Sequence, residues 1–310
     1  MTAESSYSAQ APRSLYKYVS LDVLRRILAG SVRFTQPTAF NDPFELLPEI
    51  VMPVDEPERR INVKFDLISG RRQPPAGELD AVPPGCRSGD ATSRDIVAQL
   101  NSLIGFFCLS VNNESLLMWS HYADQYAGAV VEFDASHDFF AHPINVEYRV
   151  LRPKRHLSYY LTDNPIPISE LCVKSDQWAY EGEVRIARCL ANCENVGKGD
   201  ARGFPVYTQA IPDEAIKSVI LGERMSLEAQ REIYDRVKDT KIALAQAAID
   251  LTGYGFRLEI IKYAVPVSQM GPWMSPRTAH IFSDQANQRG EFARALIQVH
   301  PLSKIVNKPI

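Results

Sequence analysis

Glu181 and Glu183 stand two residues apart in the run Lys174-Ser-Asp-Gln-Trp-Ala-Tyr-Glu-Gly-Glu-Val-Arg185. Carboxylates at i and i+2 of a strand point to the same face. So placed, one can grip a ribose hydroxyl while the other supports an electron-poor sugar carbon, where positive charge builds as a glycosidic bond breaks. Arg185 continues that face and can fix a carboxylate or meet a phosphate. Trp178 and Tyr180 supply flat surfaces beside the acids. The same run also fits an ordinary amphipathic strand with a solvated charged face.

Two further clusters combine polar groups with aromatics. The first is Arg33-Phe-Thr-Gln-Pro-Thr-Ala-Phe-Asn-Asp-Pro-Phe-Glu45. Pro43 pushes Asp42 out of the helical region, so Asn41 and Asp42 suit an Asx-type turn anchored by Phe40 and Phe44. As a binding loop, this segment offers Asn41, Asp42 and Phe44 to a ligand, with Arg33 and Thr35 on the strand before it. The second is Leu117-Met-Trp-Ser-His-Tyr-Ala123. On a helix, Trp119, His121 and Tyr122 spread polar tips around most of one turn, which is costly to bury without partners or a ligand.

Several chemistries are absent or poorly placed. Gly-x-Ser-x-Gly does not occur, and Ser120 and His121 are adjacent on a predicted helix, pointing in different directions, which argues against a serine hydrolase. No Walker loop, Gly-x-Gly-x-x-Gly or His-Glu-x-x-His is present. Cys189 and Cys193 lack a second close pair or a nearby histidine to complete a zinc set. A magnesium nuclease or phosphodiesterase, by contrast, stays open as an alternative, since Asp42, Glu45, Glu181 and Glu183 could converge on the ion. The net charge of −3 gives no global basic footprint for nucleic acid. No apolar run reaches the roughly 18 residues of a membrane span, and five scattered cysteines suit a reducing compartment. The expectation is a cytoplasmic protein with no membrane partner and no metal.

The elements that must position these residues follow from local patterns. Residues 1–13 read as a disordered tail, 14–265 as one α+β domain with mixed or split β-sheets around a cleft, and 266–310 as a C-terminal extension carrying a helix near 288–297. Residues 71–93, with Pro74-Pro75 and Pro83-Pro84, read as a flexible surface insertion. A strand at Leu15–Tyr18 leads into a helix capped by Ser20 and stopped by Gly30. Strands are expected at 32–35, 105–111, 127–133, 146–151, 184–189, 206–211, 218–221 and 258–264. Helices are expected at 96–103, 114–122 and 226–238, with 241–251 continuing helically.

Taken together, Leu15-Tyr-Lys-Tyr18, Arg33-Phe-Thr35, Phe40-Asn-Asp-Pro-Phe-Glu45, Cys108-Leu-Ser110, Met118-Trp-Ser-His-Tyr-Ala123, Val131-Glu-Phe-Asp134, Val146-Glu-Tyr148, Lys174 to Arg185 and Val219-Ile-Leu-Gly222 resemble, in order, the bacterial domain of unknown function 2971 family. The likeness covers roughly residues 15–240. That family name carries no activity. A second resemblance is to ADP-ribosyltransferases, in the order of an N-terminal strand with a basic residue, a middle strand with Ser or Tyr, and a late strand with Glu-x-Glu. This resemblance implies an ADP-ribosyltransferase-like fold and NAD as substrate. Glu183 would hold the nicotinamide ribose and stabilise the oxocarbenium-like state, and Glu181 would orient the acceptor, which could be protein, nucleic acid or a small molecule. Tyr18 or Tyr122 would stack on nicotinamide, Lys17 and Ser110 would occupy the corresponding strand positions, and Ser20, opening the helix that follows, would join the NAD-binding residues. Lys17 departs from the usual His or Arg and cannot form a planar fork. The role implied is a toxin or phage-defence effector with an antitoxin or immunity partner. The alternative is a non-catalytic sensor or partner-binding module.

Overall fold

The structure is a computed structural model and describes residues 12–68 and 77–304. The expected tail lies outside the described residues except for Pro12 and Arg13, as does the part of the expected insertion between 69 and 76. The N-terminal strand, Ser14–Val19, takes a central place in an eight-stranded sheet. The sheet runs Phe256–Lys262, Ala243–Ile249, Ile216–Leu221, Ala129–Asp134, Ser14–Val19, Ile104–Ser110, Glu183–Cys189, Ile144–Asn145. All neighbours are antiparallel except Ile216–Leu221 and Ala243–Ile249, which are parallel. The helix Leu227–Val237 lies between those two strands in sequence, as a parallel crossover requires. Smaller sheets accompany the large one, making the molecule a mixed α+β fold with several sheets.

Alternation along the strands divides the sheet's environment. Phe107, Leu109, Val131, Phe133, Val184 and Ile186 enter the main core with the helices Leu21–Ile27 and Leu227–Val237. Ile104, Phe106 and Ala187 enter a second core, built with the helix Asp90–Leu103 and the strand Glu49–Pro53. A third, aromatic cluster gathers Tyr18, Trp119 and Val130, with Tyr16, Tyr122 and Tyr126 packed against it.

Three expectations are corrected. Residues 241–251 hold the strand Ala243–Ile249 rather than a helix. Its alanines favour a helix locally, but the segment is sandwiched between two strands and buried over five consecutive residues, and that tertiary setting overrides propensity. The described part of 77–93 is not a structureless insertion. Glu78–Leu79 pairs with Lys154–His156, Cys86–Ser88 pairs with Glu49–Pro53, and the helix begins at Asp90. Pro83 and Pro84 sit in the turn before Cys86–Ser88, closed by the Cys86 amide donating to the Pro83 carbonyl at 3.1 Å. The segment after 266 is not an appendage either. Ala279, Ile281, Phe282 and Ala293 belong to the main core, and Phe282 meets Tyr234 edge-on at 5.1 Å. Among the described residues, no helix is long and apolar enough to cross a membrane.

If the C-terminal segment is structural, Phe282→Ala should lose about 3–5 kcal/mol of stability by opening a fully buried site. Denaturant unfolding measures this directly. A loss below about 1 kcal/mol, the scale of an ordinary surface change, would make the segment detachable.

Candidate functional site

Glu181 and Glu183 do converge, but not as neighbours on one strand. Glu181 ends a 3-10 turn, Asp176–Glu181, and Glu183 opens the strand Glu183–Cys189. Between them Gly182 takes the left-handed conformation, φ 49° and ψ 50°, which a glycine adopts without a Cβ penalty. That reversal brings both carboxylates onto the Lys174 ammonium, at 2.6 Å for Glu181 and 3.2 Å for Glu183.

Glu45 joins the same cation at 3.7 Å. Arg185 completes the network. Its Nε donates to Glu183 Oε1 at 2.8 Å and its Nη2 to Glu183 Oε2 at 2.9 Å, while Nη2 also reaches Glu45 Oε1. The guanidinium lies over the rings of Phe40 and Phe106, at 5.2 and 5.7 Å. All three glutamates and Arg185 are more than nine-tenths buried. Burying so many charges is tolerable only because they are paired and hydrogen-bonded. Leu46, beside Glu45, is buried with φ at 53°, a strained conformation for a branched side chain.

Neighbouring strands hold the network in place. Lys174 lies on Val173–Ser175, paired in parallel with Glu147–Arg149 so that Tyr148 faces Lys174 in register. The Tyr148 hydroxyl accepts from the Glu183 amide at 2.8 Å. The Tyr122 hydroxyl donates to Glu181 Oε1 at 2.6 Å, and the Ser110 hydroxyl donates to the Glu181 carbonyl at 2.5 Å. Ser110 and Cys108 sit opposite Glu183 and Arg185 across the ladder. Lys17 donates to the Cys108 carbonyl at 2.6 Å.

The electrostatics assign protons. Burial alone would raise the Glu183 pKa, but the charge and hydrogen bonds of Arg185, helped by Lys174, outweigh it and hold the carboxyl at about 2. Glu45 is raised, because burial outweighs Arg185 and Lys174 there and Glu183 adds repulsion. Burial lowers the Lys174 pKa, yet the three glutamates overcome it and keep the ammonium charged. Burial and then the Glu181 hydrogen bond raise the Tyr122 phenol, so it stays a donor. Burial lowers Lys17, against the pull of Cys108 and Glu183.

These groups wall a cavity of about 220 Å³. Of the residues expected at the site, Lys17, Tyr18, Thr35, Asn41, Asp42, Ser110, Tyr122, Glu181, Glu183 and Arg185 line it. Asp42 also makes the expected Asx turn, accepting from the Phe44 amide at 2.9 Å. Five do not line it. Arg33 points to Asp200 at 2.9 Å, on the strand pair that Ser31–Phe34 makes with Pro205–Ala210. His121 is exposed and holds the Tyr180 hydroxyl at 3.1 Å. Trp119 is buried in the aromatic cluster, edge-on to Tyr18 at 5.5 Å. Ser20 stands before the helix Leu21–Ile27, but its side chain makes no capping bond. Phe44 is 59% exposed and faces a second cavity.

Sequence reasoning gave no role to Lys174, Tyr148, Cys108 or Tyr16, and placed Glu45 only in a metal site. Lys174 was the findable one. A lysine seven residues before a pair of acids that are to be buried is a natural counter-charge. Among the described residues, no group of three or more His, Cys, Asp or Glu side chains is arranged to hold a metal ion. The three glutamates meet at an ammonium instead.

Glu183 in the folded protein therefore holds its proton more weakly than a free glutamate, whose pKa is 4.5. Its stabilisation is complete above about pH 5 and drains away as pH falls through 4.5 towards 2. Glu45 acts in the opposite sense, since its raised pKa gives stabilisation that is lost as pH rises through the folded value. Glu183→Gln should flatten the acid side of a stability–pH profile measured by urea unfolding. At neutral pH it should cost about 3–5 kcal/mol, because Arg185 is left buried with part of its counter-charge gone. Identical acid limbs in wild type and variant would remove Glu183 from this network. Comparison of the chain with protein-family models, with curated proteins and with solved structures finds no match.

Proposed function

We propose that the cavity binds a ribosyl nucleotide and that the protein transfers the ADP-ribose part of NAD to an acceptor. One observation carries this reading: a buried carboxylate, Glu183, paired with Arg185 at 2.8 Å and Lys174 at 3.2 Å in the wall of a cavity that aromatic rings also line. Tyr16, Tyr18, Phe40, Tyr122 and Trp178 offer the flat surfaces a nicotinamide ring or a ribose face would need. In the reaction, the bond from nicotinamide to the ribose carbon breaks and its electron pair leaves with nicotinamide. The sugar carbon becomes positive, and the Glu183 carboxylate stabilises charge that exists mainly in the transition state. An acceptor oxygen or nitrogen then bonds to that carbon and gives up its proton. Glu181, fixed by Tyr122 and Lys174, sits beside Glu183 and orients the acceptor. Lys17 supplies the basic group of the first strand, with its donor already turned to the Cys108 carbonyl.

One observation favours a second reading, binding without turnover. Both Glu183 oxygens are already engaged by Arg185, and Lys174 lies on the same carboxylate, so its charge is partly answered before any sugar arrives. A sensor would use the same pocket and the same aromatic walls.

The two readings separate in one experiment. Protein incubated with NAD and a cell lysate is assayed for released nicotinamide and for mass added to an acceptor. Glu183→Gln, assayed where its folded fraction matches wild type, should lower nicotinamide release about 100- to 1000-fold. Glu181→Gln should reduce transfer to the acceptor more than NAD hydrolysis. Bound NAD with no nicotinamide release from the wild type would establish the sensor and end the transferase reading.

A further inference from the structure

A second cavity of about 210 Å³ adjoins the first and shares Asp42 and Lys174 with it as wall residues. Its lining carries four cationic side chains, Arg149, Arg152, Arg155 and Lys174, against two carboxylates, Asp42 and Glu170. Three of the cations are answered. Arg149 pairs with Glu78 and Glu147, Lys174 with the glutamates of the first cavity, and Arg155 with Glu170 at 3.3 Å. Arg152 has no carboxylate partner among the described residues. Its Nη2 donates only to the carbonyls of Leu47 and Pro48, at 3.1 Å each, and its guanidinium stands over the Phe44 ring at 5.7 Å.

Several unsatisfied buried atoms lie in this wall: Arg152 Nε, Arg155 Nε and Nη2, and the acceptor Glu170 Oε1. Arg155 is 1% exposed, yet its Nε and Nη2 make no hydrogen bond, because the contact with Glu170 lacks the geometry for one. Arg152 Nε is also buried and without an acceptor. Buried guanidinium donors are almost always satisfied. Two guanidinium groups with free N–H bonds at one cavity match the lone pairs of a phosphate, which accepts several charge-assisted hydrogen bonds at once.

We propose that the second cavity is a phosphate site, and that the two cavities together form one groove for a ligand with a sugar at one end and a diphosphate at the other. Recognition of phosphate stands on the arginines alone. The identity of the sugar end rests on the nucleotide reading of the first cavity. Arg152 and Arg155 would donate to the phosphate oxygens, and Lys174, standing at the junction, would face both halves. Phe44 would flank the anion through its contact with Arg152.

The test is titration calorimetry of the full chain with sodium pyrophosphate and, separately, with nicotinamide riboside, which has no phosphate. Pyrophosphate should bind the wild type, more weakly as salt rises. Arg152→Gln should weaken it about ten- to hundredfold, the scale of a hydrogen bond between charged groups. Nicotinamide riboside should bind wild type and Arg152→Gln equally. Arg155→Gln should act like Arg152→Gln. Should that buried variant fail to fold, Arg152→Gln carries the test alone, since Arg152 is only part-buried. Pyrophosphate binding lost in Arg152→Gln, in a protein that never releases nicotinamide from NAD, would support the phosphate site and sink the transferase. No pyrophosphate binding at millimolar concentration, or binding unchanged in Arg152→Gln, would overturn the phosphate site. Nicotinamide release with an unaltered KM for NAD in Arg152→Gln would overturn it too, while leaving the transferase intact.

Discussion

Five buried charges constrain everything around them. Glu45, Glu181 and Glu183 would each be intolerable in the interior alone, and Lys174 and Arg185 likewise. Their mutual pairing requires that two distant parts of the chain arrive together: the turn after Phe40, which carries Glu45, and the continuous run from the strand Val173–Ser175 through the 3-10 turn to the strand Glu183–Cys189. Arg185 also lies against Phe40 and Phe106, so the ion network and the aromatic packing cannot be adjusted independently. A buried ion network of this kind adds little net stability over an apolar core, but it penalises any arrangement that leaves one member out. It therefore acts mainly on which fold forms.

The sheet explains why the polar cluster sits where it does. Val184 and Ile186 face the main core, so Glu183 and Arg185, which alternate with them, must face the other way. On that side the second core and the aromatic cluster do not meet fully, and the cavity occupies the gap. Strain is placed beside it. Gly182 accepts the left-handed turn without cost, whereas Leu46 accepts it at a penalty of about 1–3 kcal/mol that its burial must offset.

Much of this was legible in the sequence, and the misses have physical causes. Most of the long strands, though not Ala243–Ile249, and the helices at 21–27, 116–122 and 227–237 announce themselves by periodicity and, for the last, by the cap Ser226. Two-residue strands such as Phe65–Asp66 and Glu78–Leu79 have no periodicity to read, because pairing alone defines them. The Glu-Gly-Glu spacing pointed to convergent carboxylates for the wrong reason: a strand was expected to align them, and a left-handed glycine does so instead. His121 and Arg33 looked like ligands because they stand beside such residues in sequence, but a helix turns His121 outward and Asp200, far along the chain, captures Arg33. The pairing of Glu45 with Arg185 spans 140 residues, which a single sequence does not display, whereas Lys174 stands close in sequence to the acids it holds.

The central position of Ser14–Val19 sets a timetable for synthesis. Both edges of this strand are satisfied by later chain, Tyr16 meeting Ser110 on one side and Ser14 meeting Asp134 on the other. At about 5–20 residues per second, translation needs on the order of 5–20 seconds to pass from this strand to the first of these partners, and roughly 1–5 seconds more to reach the second. Throughout that interval an apolar strand leaves the ribosome with its hydrogen-bonding edges open. Glu181 and Glu183 come later still, and the core contributed by Ile281 and Phe282 later again. A nascent chain of this protein therefore carries two open strand edges, each able to pair with another chain, until residues 104–134 have emerged.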